Sequence, residues 1–400
     1  MASDEHERTF PGSQGAPLAA VLHRPPGRLR GCAIFAHCFT CSKDLRAARE
    51  VSFRLATHGF ATLRFDFTGL GASGGDFADT TFSSNVEDLV AAASFLEREI
   101  EAPMLLVGHS LGGAAVLAAA SRLDSVRAVA TIGAPADPAH VAKLFADRAC
   151  DIERDGHAEV VLAGRSFRVR REFLEDLERH ASAEAIAKLG KALLLFHSPQ
   201  DTVVGIDNAR RIYQAARHPK SFVSLNGADH LLSRAADARY VADVLAAWAS
   251  RYLPFAPEPL DHDEVCVEAR QSLLNRVRAG HHELVADEPH ELGGTDLGPA
   301  PYPYLLTALG SCSSMTLRLY ADRKGWPLEG VRVRLSYQRG KTETGTPLTV
   351  LSRRIALEGN LDDAQRARLM EIADRCPVHR TLTGEIRIES EEDKPDSPER

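Results

Sequence analysis

Residues 108–112 have the pattern of a serine nucleophile. The segment Gly108-His109-Ser110-Leu111-Gly112 matches G-x-S-x-G, and it lies where an apolar run, MLLVGH, meets an alanine-rich one, GGAAVLAAA. A strand before this motif and a helix after it hold the serine on a tight turn above a sheet. The N–H of Leu111 then points to the place where an oxyanion would form. We therefore predict that Ser110 can attack an acyl carbon.

A nucleophilic serine needs a histidine base, and the base needs an acid that orients it. In a strand–turn–helix arrangement of this kind the chain order is serine, acid, histidine. Asp201 follows the apolar run KALLLFH, and His230 follows FVSLNG. Both loops are expected at the carboxyl ends of strands, at the same sheet edge as Ser110. We predict that His230 takes the proton from Ser110 and that Asp201 fixes the histidine tautomer.

Simpler interpretations compete with these two roles. His230 could be a capping or surface histidine, and Asp207, close to Asp201, could cap the next helix. Asp229 is adjacent to His230 in the chain and is therefore poorly placed to orient it.

The chain has seven cysteines in 400 residues, an odd number and too few for a disulfide scaffold. We expect free thiols, catalytic thiols or metal ligands. Cys38 and Cys41 form a C-x-x-C, which could be a redox pair or half of a zinc site together with His37 and Cys32. No second C-x-x-C or suitable histidine pair completes such a site nearby. We therefore predict neither a metal nor a cofactor.

Two further cysteines lie in the C-terminal part. Cys312 is in a long helical pattern with small residues around it, and Cys376 is expected to end a second helix, before Pro377. A thiol near a helix can have a lowered pKa, and a second cysteine can resolve a sulfenic acid to a disulfide. The spacing alone leaves open that each is a small buried hydrophobe.

Apolar strands alternate with helical patterns from residue 18 to about 252. Strands are predicted at 31–37, 61–67, 103–109, 127–133, 191–197 and 221–227, and helices at 85–100, 113–123, 207–217 and 236–252. Near-continuous apolar strands are typical of a sheet covered on both faces, so we predict a doubly wound, mostly parallel α/β sheet. The charged, mostly helical stretch 138–190 interrupts this rhythm, either as a cap over the active site or as an ordinary insertion.

The proline-rich stretch 253–261 predicts a domain boundary. We place one domain at 1–254, a linker at 255–262, a second domain at 263–390 and a disordered tail at 391–400. The second domain has an α+β pattern. Its predicted elements are a strand near 265–280, a helix at 301–324, strands at 331–339 and 352–359, a helix at 362–376 and a final strand at 383–390.

The composition is that of a globular protein, with 44% hydrophobic and 26% charged residues and a mean hydropathy of -0.20. A net charge of -7 gives no reason to expect nucleic-acid binding. No apolar run approaches the roughly 20 residues that span a bilayer, and the N-terminal segment MASDEHERTF has no apolar signal core. We expect a cytoplasmic protein that binds neither nucleic acid nor membranes.

Residues 10–252 resemble the α/β-hydrolase superfamily, in particular its serine aminopeptidase-like (S33) and dienelactone hydrolase-like members. The motifs are AHCFTCSKD (36–44), RFDFTGLGASGG (64–75), VGHSLGG (107–113) and the pair of Asp201 and His230. The first motif is similar to the family's H-G-F-T-G-S loop, and this resemblance implies that the Phe39 N–H is a second oxyanion donor. Cys38 and Cys41 stand where the family usually has glycines. The resemblance implies acyl transfer through an acyl-Ser110 intermediate.

Residues 265–390 resemble the OsmC/Ohr family of osmotically inducible and organic hydroperoxide resistance proteins. The resemblance is carried by residues 296–333 and by CPVHRTL at 376–382. It implies that Cys312 attacks a peroxide, that Cys376 closes a disulfide, and that an external thiol reduces it, a chemistry of oxidative stress defence. It also implies a homodimer with sites at the dimer interface.

One feature differs from the peroxidase members, which carry a glutamate upstream of the first cysteine, paired with an arginine. Here that stretch is Pro301-Tyr302-Pro303-Tyr304, without an acid. Glu288 or Glu291 could substitute, with Arg278 as the arginine, but the motif assigns none of them.

Together the two resemblances match the bifunctional α/β hydrolase/OsmC proteins. They predict an esterase or other acyl hydrolase fused to a thiol peroxidase, with acyl esters and organic hydroperoxides as substrates. The alternative is that only the first half is an enzyme and that the C-terminal domain is a dimerisation module.

Overall fold

The structure, a computed structural model, describes residues 5–38, 41–162, 165–180, 183–253, 260–261, 263–269 and 272–392. The chain divides into two compact units, Met1–Val285 and Ala286–Arg400. The predicted linker at 255–262 lies almost entirely outside the described residues, as do residues 393–400 of the predicted tail. The boundaries at 254 and 263 therefore stay a prediction.

The first unit alternates strands and helices. Its strands are β1 (Glu5–Pro11), β2 (Pro17–His23), β3 (Gly31–Ala36), β4 (Phe60–Phe65), β5 (Pro103–His109), β6 (Ala128–Ile132), β7 (His157–Leu162), β8 (Arg165–Arg170), β9 (Ala192–His197), β10 (Lys220–Ser224), β11 (Val265–Ala269), β12 (Asn275–Ala279) and β13 (His282–Ala286). Its helices are α1 (Arg46–Thr57), α2 (Phe82–Glu99), α3 (Leu111–Ala120), α4 (Ala149–Asp155), α5 (Arg171–Arg179), α6 (Ala183–Ala187), α7 (Asp207–Ala215) and α8 (Ala235–Ala249).

Eight of these strands form one sheet, in the order β1-β2-β4-β3-β5-β6-β9-β10. The first three pair antiparallel, and the rest of the sheet is parallel. The chain passes from β3 to β4 on one side and returns to β5 on the other, so the strand order reverses between β3 and β5. A crevice opens at the carboxyl ends of the strands at such a reversal, and ligands bind there in open α/β sheets.

Helices cover both faces of this sheet, because successive side chains of each buried strand enter opposite cores. Phe35 of β3 packs in a core with α1 and α8. Its neighbour Ile34 packs in the other core with α2 and α3. The predicted doubly wound, mostly parallel sheet is confirmed. Among the described residues no helix combines the length and hydropathy needed to cross a membrane.

The stretch 138–190 is mostly helical, as expected, with a 3-10 helix at Pro138–Arg148 and the helices α4, α5 and α6, but it is not helical throughout. It contains the antiparallel hairpin β7–β8 between α4 and α5. The hairpin's inward side chains Val160, Phe167 and Val169 join the core that contains α2 and α3, while charged residues alternate with them in the sequence. Burial of this one face stabilises the hairpin. The sequence did not predict its two strands because charged residues dominate the pattern of the stretch.

The second unit contains α9 (Pro301–Lys324), the hairpin β14 (Gly330–Lys341) and β15 (Pro347–Glu358), α10 (Asp363–Ala373) and α11 (Pro377–Thr383). Its core joins Leu317 of α9 to Leu369 of α10. The final strand predicted at 383–390 is wrong for this structure, which has no regular element at 384–392. Alternation alone does not make a strand, because its backbone groups also need a neighbouring strand. Cys376 does not end a helix but caps the start of α11.

Candidate active site

Ser110 lies on the turn between β5 and α3, with φ 55° and ψ -125°. A non-glycine residue in this region is strained and persists only where its surroundings hold it. Here the Ser110 N–H donates to Ile132 O, and the Gly113 N–H donates to Ser110 O, both at 2.8 Å. Leu111 is the first residue of α3, so its N–H has no acceptor within the helix.

Close backbone contacts require the two motif glycines. A Cβ on Gly108 would lie 2.3 Å from Gly112 O, and a Cβ on Gly112 would lie 2.4 Å from His37 O. Neither distance is compatible with a side chain. The nucleophile turn therefore packs directly against the end of β3, at the crevice between β3 and β5.

His230 joins Ser110 to Asp201. Its Nε2 is 3.0 Å from Ser110 Oγ, and its Nδ1 is 2.7 Å from Asp201 Oδ2. The other carboxylate oxygen, Oδ1, accepts the backbone N–H groups of Val203 and Val204, both at 2.9 Å. The side chains of His230 and Asp201 are only 9% and 2% exposed. The structure thus brings together the three residues predicted from the sequence, at the distances proton transfer needs.

The environment keeps Asp201 ionised. Burial alone would raise the pKa of its carboxyl group, but hydrogen bonds from His230 and from the backbone of Val204 and Val203 outweigh it, so the pKa lies below its usual range. An ionised carboxylate that accepts a hydrogen bond from the Nδ1 proton leaves Nε2 free to accept a hydrogen bond from the Ser110 hydroxyl.

The competing acids have other partners. Asp229 accepts the Ser233 N–H at 3.0 Å and the Ser233 hydroxyl. Asp207 is the first residue of α7, with its side chain 77% exposed and 3.0 Å from Arg210.

Three buried histidines support the loops around the site, and the sequence had singled out only His37 among them, as a possible zinc ligand. At the end of β5, His109 Nε2 donates to the backbone carbonyl of His230 at 2.7 Å, and at the end of β9, His197 Nε2 donates to Val204 O at 2.7 Å. After β3, His37 Nδ1 donates to Cys38 O at 2.7 Å. Burial lowers the pKa of all three, to about 4 for His109. The sequence signal for them is only their position at strand ends.

The loop after β3 carries a disulfide between Cys38 and Cys41, whose Cα atoms are 5.4 Å apart. The expectation of free thiols or metal ligands is wrong for these two cysteines. A turn in which the Cys41 N–H donates to Cys38 O at 3.2 Å brings the two residues together. Phe39, the predicted second oxyanion donor, lies outside the described residues.

The 138–190 insertion adjoins the acid loop. His140 Nε2 donates to Val203 O at 3.1 Å, and the insertion is anchored by Phe167 and Phe173, whose rings pack on Phe77 at 5.4 and 5.6 Å. Two apolar side chains beside the triad, Val203 and Leu231, are 49% and 43% exposed.

In the second unit, Cys312 is half-buried on α9 and Cys376 is fully buried. Both are free thiols. The Cys376 sulfur lies 3.7 Å from Ser313 Oγ, one residue beyond Cys312, and accepts the His379 N–H at 3.3 Å. Arg353 of β15, which the sequence did not single out, donates to Ser313 Oγ at 2.7 Å and to Asp374 Oδ1 at 2.6 Å.

The segment without a glutamate has an aromatic environment. Tyr302 stacks on Tyr337 with ring centroids 4.6 Å apart, and the guanidinium of Arg339 lies 4.0 Å from the Tyr302 ring centroid. Of the alternative residues, Glu288 precedes a short 3-10 turn that contains Glu291. Arg278 is buried on β12, in the first unit.

Comparison with known proteins agrees with this architecture. A family model described as "Serine aminopeptidase, S33" matches residues 30–152, and one described as "OsmC-like protein" matches residues 294–391. The solved esterase domain of a Rhodothermus marinus protein is 52% identical, with coverage of 62% of this chain and 99% of that one and a TM-score of 0.53. This chain belongs to the α/β hydrolases and carries an OsmC-like domain. We call the first unit, Met1–Val285, the hydrolase domain and the second unit, Ala286–Arg400, the OsmC-like domain.

More distant relatives share parts of the hydrolase domain. Mouse palmitoyl-protein thioesterase ABHD10, mitochondrial, is 29% identical over 188 residues, which are 45% of this chain and 62% of that protein. The human counterpart is 25% identical over 154 residues, 36% of this chain and 49% of that protein. The chain thus spans between about half and three fifths of these relatives' length. Est1E from Butyrivibrio proteoclasticus, 19% identical with a TM-score of 0.52 over 62% of this chain and 98% of that one, shares the fold.

Proposed function

We propose that the hydrolase domain is a serine esterase in which Ser110, His230 and Asp201 act as a catalytic triad. The observation that carries the proposal is the continuous hydrogen-bonded series from Ser110 Oγ through His230 to Asp201, with distances of 3.0 and 2.7 Å. The 52% identity to a solved esterase domain supports it.

In this mechanism Ser110 Oγ attacks the acyl carbon while His230 Nε2 accepts the hydroxyl proton. The carbonyl oxygen becomes an oxyanion beside the N–H of Leu111, which stabilises it without reorganisation. We place the Phe39 N–H as the second donor on the strength of the family resemblance. His230 then protonates the leaving alcohol, and a water attacks the acyl-Ser110 ester by the reverse sequence.

An acyl chain is the substrate group that the surface beside the triad favours. Val203 and Leu231 expose apolar side chains next to Asp201 and His230, and burial of apolar area is what binds an aliphatic chain. Thioesters are a second substrate class, supported by the naming of the mouse and human relatives as palmitoyl-protein thioesterases.

The esterase proposal is tested with Ser110→Ala and with p-nitrophenyl esters of short and long acyl chains. We expect no turnover above background and an unchanged melting temperature. A fluorophosphonate should label wild type and not the variant. Retained turnover in Ser110→Ala would contradict the proposal, and a matching panel of acyl thioesters separates the two substrate classes.

For the OsmC-like domain we propose a thiol-dependent hydroperoxidase. The half-buried Cys312 attacks the distal peroxide oxygen and releases an alcohol, and the Cys376 thiolate attacks the resulting sulfenic acid and releases water. An external thiol then reduces the disulfide. The approach of the Cys376 sulfur to Ser313, next to Cys312, supports this pairing.

A dimerisation module is the second candidate for this domain. Tyr302 and Arg339 form a cation–π pair where a glutamate would be needed, and apolar side chains such as Met315, Leu319 and Val350 are 64%, 64% and 47% exposed. Consumption of an organic hydroperoxide with dithiothreitol decides between the candidates. Loss of consumption in Cys312→Ser supports the peroxidase, and equal consumption by wild type and variant supports the module. Sedimentation of the intact chain tests the predicted homodimer.

A further inference from the structure

The C-x-x-C after β3 has no part in the triad chemistry, yet it lies against the nucleophile turn. Cys38 is 3% exposed and lines a cavity of about 10 Å³ together with Leu111 and Gly112. Leu111 carries the proposed oxyanion donor. Cys38 therefore lies beside the residue that carries the proposed oxyanion donor.

Both ends of this loop are held by buried groups. At its start, His37 O would be only 2.4 Å from a Cβ on Gly112, so this backbone has no room to shift toward the turn. At its end, the Lys43 N–H donates to Asp66 Oδ1, and Arg64 donates to Lys43 O at 2.7 Å. Arg64 and Asp66 are 1% and 0% exposed. The disulfide between Cys38 and Cys41 lies between these two anchors in the chain.

The two sulfurs differ in access. Cys38 is buried, whereas Cys41 is partly exposed. Thiol–disulfide exchange requires an attacking thiolate to reach one sulfur, with the other sulfur leaving. Because Cys41 is the more exposed of the two residues, we assign its sulfur as the entry point for a reductant and Cys38 as the leaving thiolate.

We propose that Cys38 and Cys41 form a redox-active site, which accepts electrons from dithiol reductants and donates them to hydroperoxides, and that its disulfide form holds the hydrolase site in its active geometry. This inference rests on the proposed esterase function. It adds a control by redox state that the triad itself does not have.

The electron balance of each direction is complete. In reduction, one thiolate of the dithiol attacks the Cys41 sulfur and Cys38 leaves as a thiolate. The second thiol of the reductant then closes its own disulfide and releases Cys41, so two electrons reach the protein and each thiolate takes a proton at neutral pH. In oxidation, the Cys41 thiolate attacks the distal oxygen of a hydroperoxide and an alcohol leaves. Cys38 then attacks the Cys41 sulfenic acid, water leaves, and the disulfide forms again.

The consequence for catalysis follows from preorganisation. Reduction replaces a covalent link by two thiols at van der Waals separation, so Cys38 loses its covalent tie to Cys41 beside Leu111. Loss of one oxyanion donor costs about 100-fold or more in kcat, and a loosened site that keeps its donors should lose less. We expect about a tenfold lower kcat in the reduced form, with a smaller change in KM.

The experiment measures p-nitrophenyl ester hydrolysis by the full chain after dithiothreitol and again after removal of dithiothreitol and addition of cumene hydroperoxide. Differential alkylation and mass spectrometry of the peptide with Cys38 and Cys41 report the redox state in parallel. The expected result is a loss of kcat on reduction and its recovery on oxidation. Cys41→Ser should give a constant low kcat in both conditions. Cys150→Ser, at an exposed free cysteine, is the matched control, and it should respond to both reagents as wild type does.

Three results would overturn the inference. They are a fully reduced pair with kcat within twofold of the oxidised form, a pair that the hydroperoxide does not reoxidise, and loss of the response in Cys150→Ser. A failure of the esterase proposal is distinguishable, because the oxidised wild type would then hydrolyse no ester and its Ser110 would not react with a fluorophosphonate. If Cys41→Ser does not fold, the wild-type comparison alone still decides, since it uses one chain in two redox states.

Discussion

Replacement of Asp201 by asparagine tests the triad without removing any heavy atom. Asp201 Oδ1 accepts two backbone N–H groups, from Val203 and Val204. In Asp201→Asn only the amide oxygen can occupy that position, because an NH₂ group there would face two donors. The amide nitrogen therefore takes the place of Oδ2, 2.7 Å from His230 Nδ1.

This orientation forces the wrong histidine tautomer. An N–H donor on that side requires Nδ1 to be unprotonated, so the imidazole proton moves to Nε2, 3.0 Å from Ser110 Oγ. His230 can then no longer accept the hydroxyl proton. The equivalent change in a serine protease lowers kcat by about 10⁴, which corresponds to about 5.5 kcal/mol in the barrier.

The assay is p-nitrophenyl ester hydrolysis, with melting temperatures measured for each variant. Asp207→Asn is the control, because Asp207 is an exposed aspartate whose ion pair is with Arg210, and its kcat should equal that of wild type. A loss below tenfold in a folded Asp201→Asn would refute the assignment of Asp201 as the orienting acid.

Three further predictions follow from the geometry around the site. Gly112→Ala places a Cβ 2.4 Å from His37 O, so we expect a destabilisation of about 1–3 kcal/mol and loss of ester hydrolysis. Gly205→Ala is the control, because nothing lies within 4 Å of its Cβ, and it should leave the melting temperature and kcat unchanged. His109→Phe removes the donor to the His230 carbonyl, so we expect up to about a hundredfold lower kcat and a shifted pH profile of kcat/KM. His109→Gln should be more active than His109→Phe. A wild-type pH profile in His109→Phe would argue against this positioning role. Burial lowers the pKa of His109 to about 4, below its value in the unfolded chain, so the contribution of neutral His109 to the free energy of unfolding is complete above about pH 6.5. As the pH falls from there toward 4, the free energy of unfolding should decrease by about 1.4 kcal/mol per pH unit. Urea midpoints that stay constant between pH 7 and pH 5 would contradict this.

Much of the hydrolase domain could be predicted because its chemistry is local in the sequence. The parallel strands are near-continuous apolar runs, and each predicted site residue follows one of them directly. The order of Ser110, Asp201 and His230 along the chain then predicted their partnership, since the carboxyl ends of parallel strands share one edge of the sheet.

The hairpin β7–β8, the missing strand at 383–390 and the start of α11 at Cys376 were not predicted correctly. Each depends on which surfaces meet in the folded chain. The hairpin exists because Phe167 and Val169 reach the core of the sheet. Residues 383–390 have a strand-like alternation, but in the described part of the chain no neighbouring strand completes their hydrogen bonds.

The sequence by itself determined the type of sheet and predicted the turn that holds Ser110 and the proposed base and acid, because these follow from hydrophobic pattern and chain order. Only the tertiary structure decided how they are supported. It joins His109 to the His230 carbonyl across 121 positions of the chain, and it closes Cys38 and Cys41 into a disulfide beside Leu111. Such contacts depend on distances between loops on different strands, and no local pattern contains them.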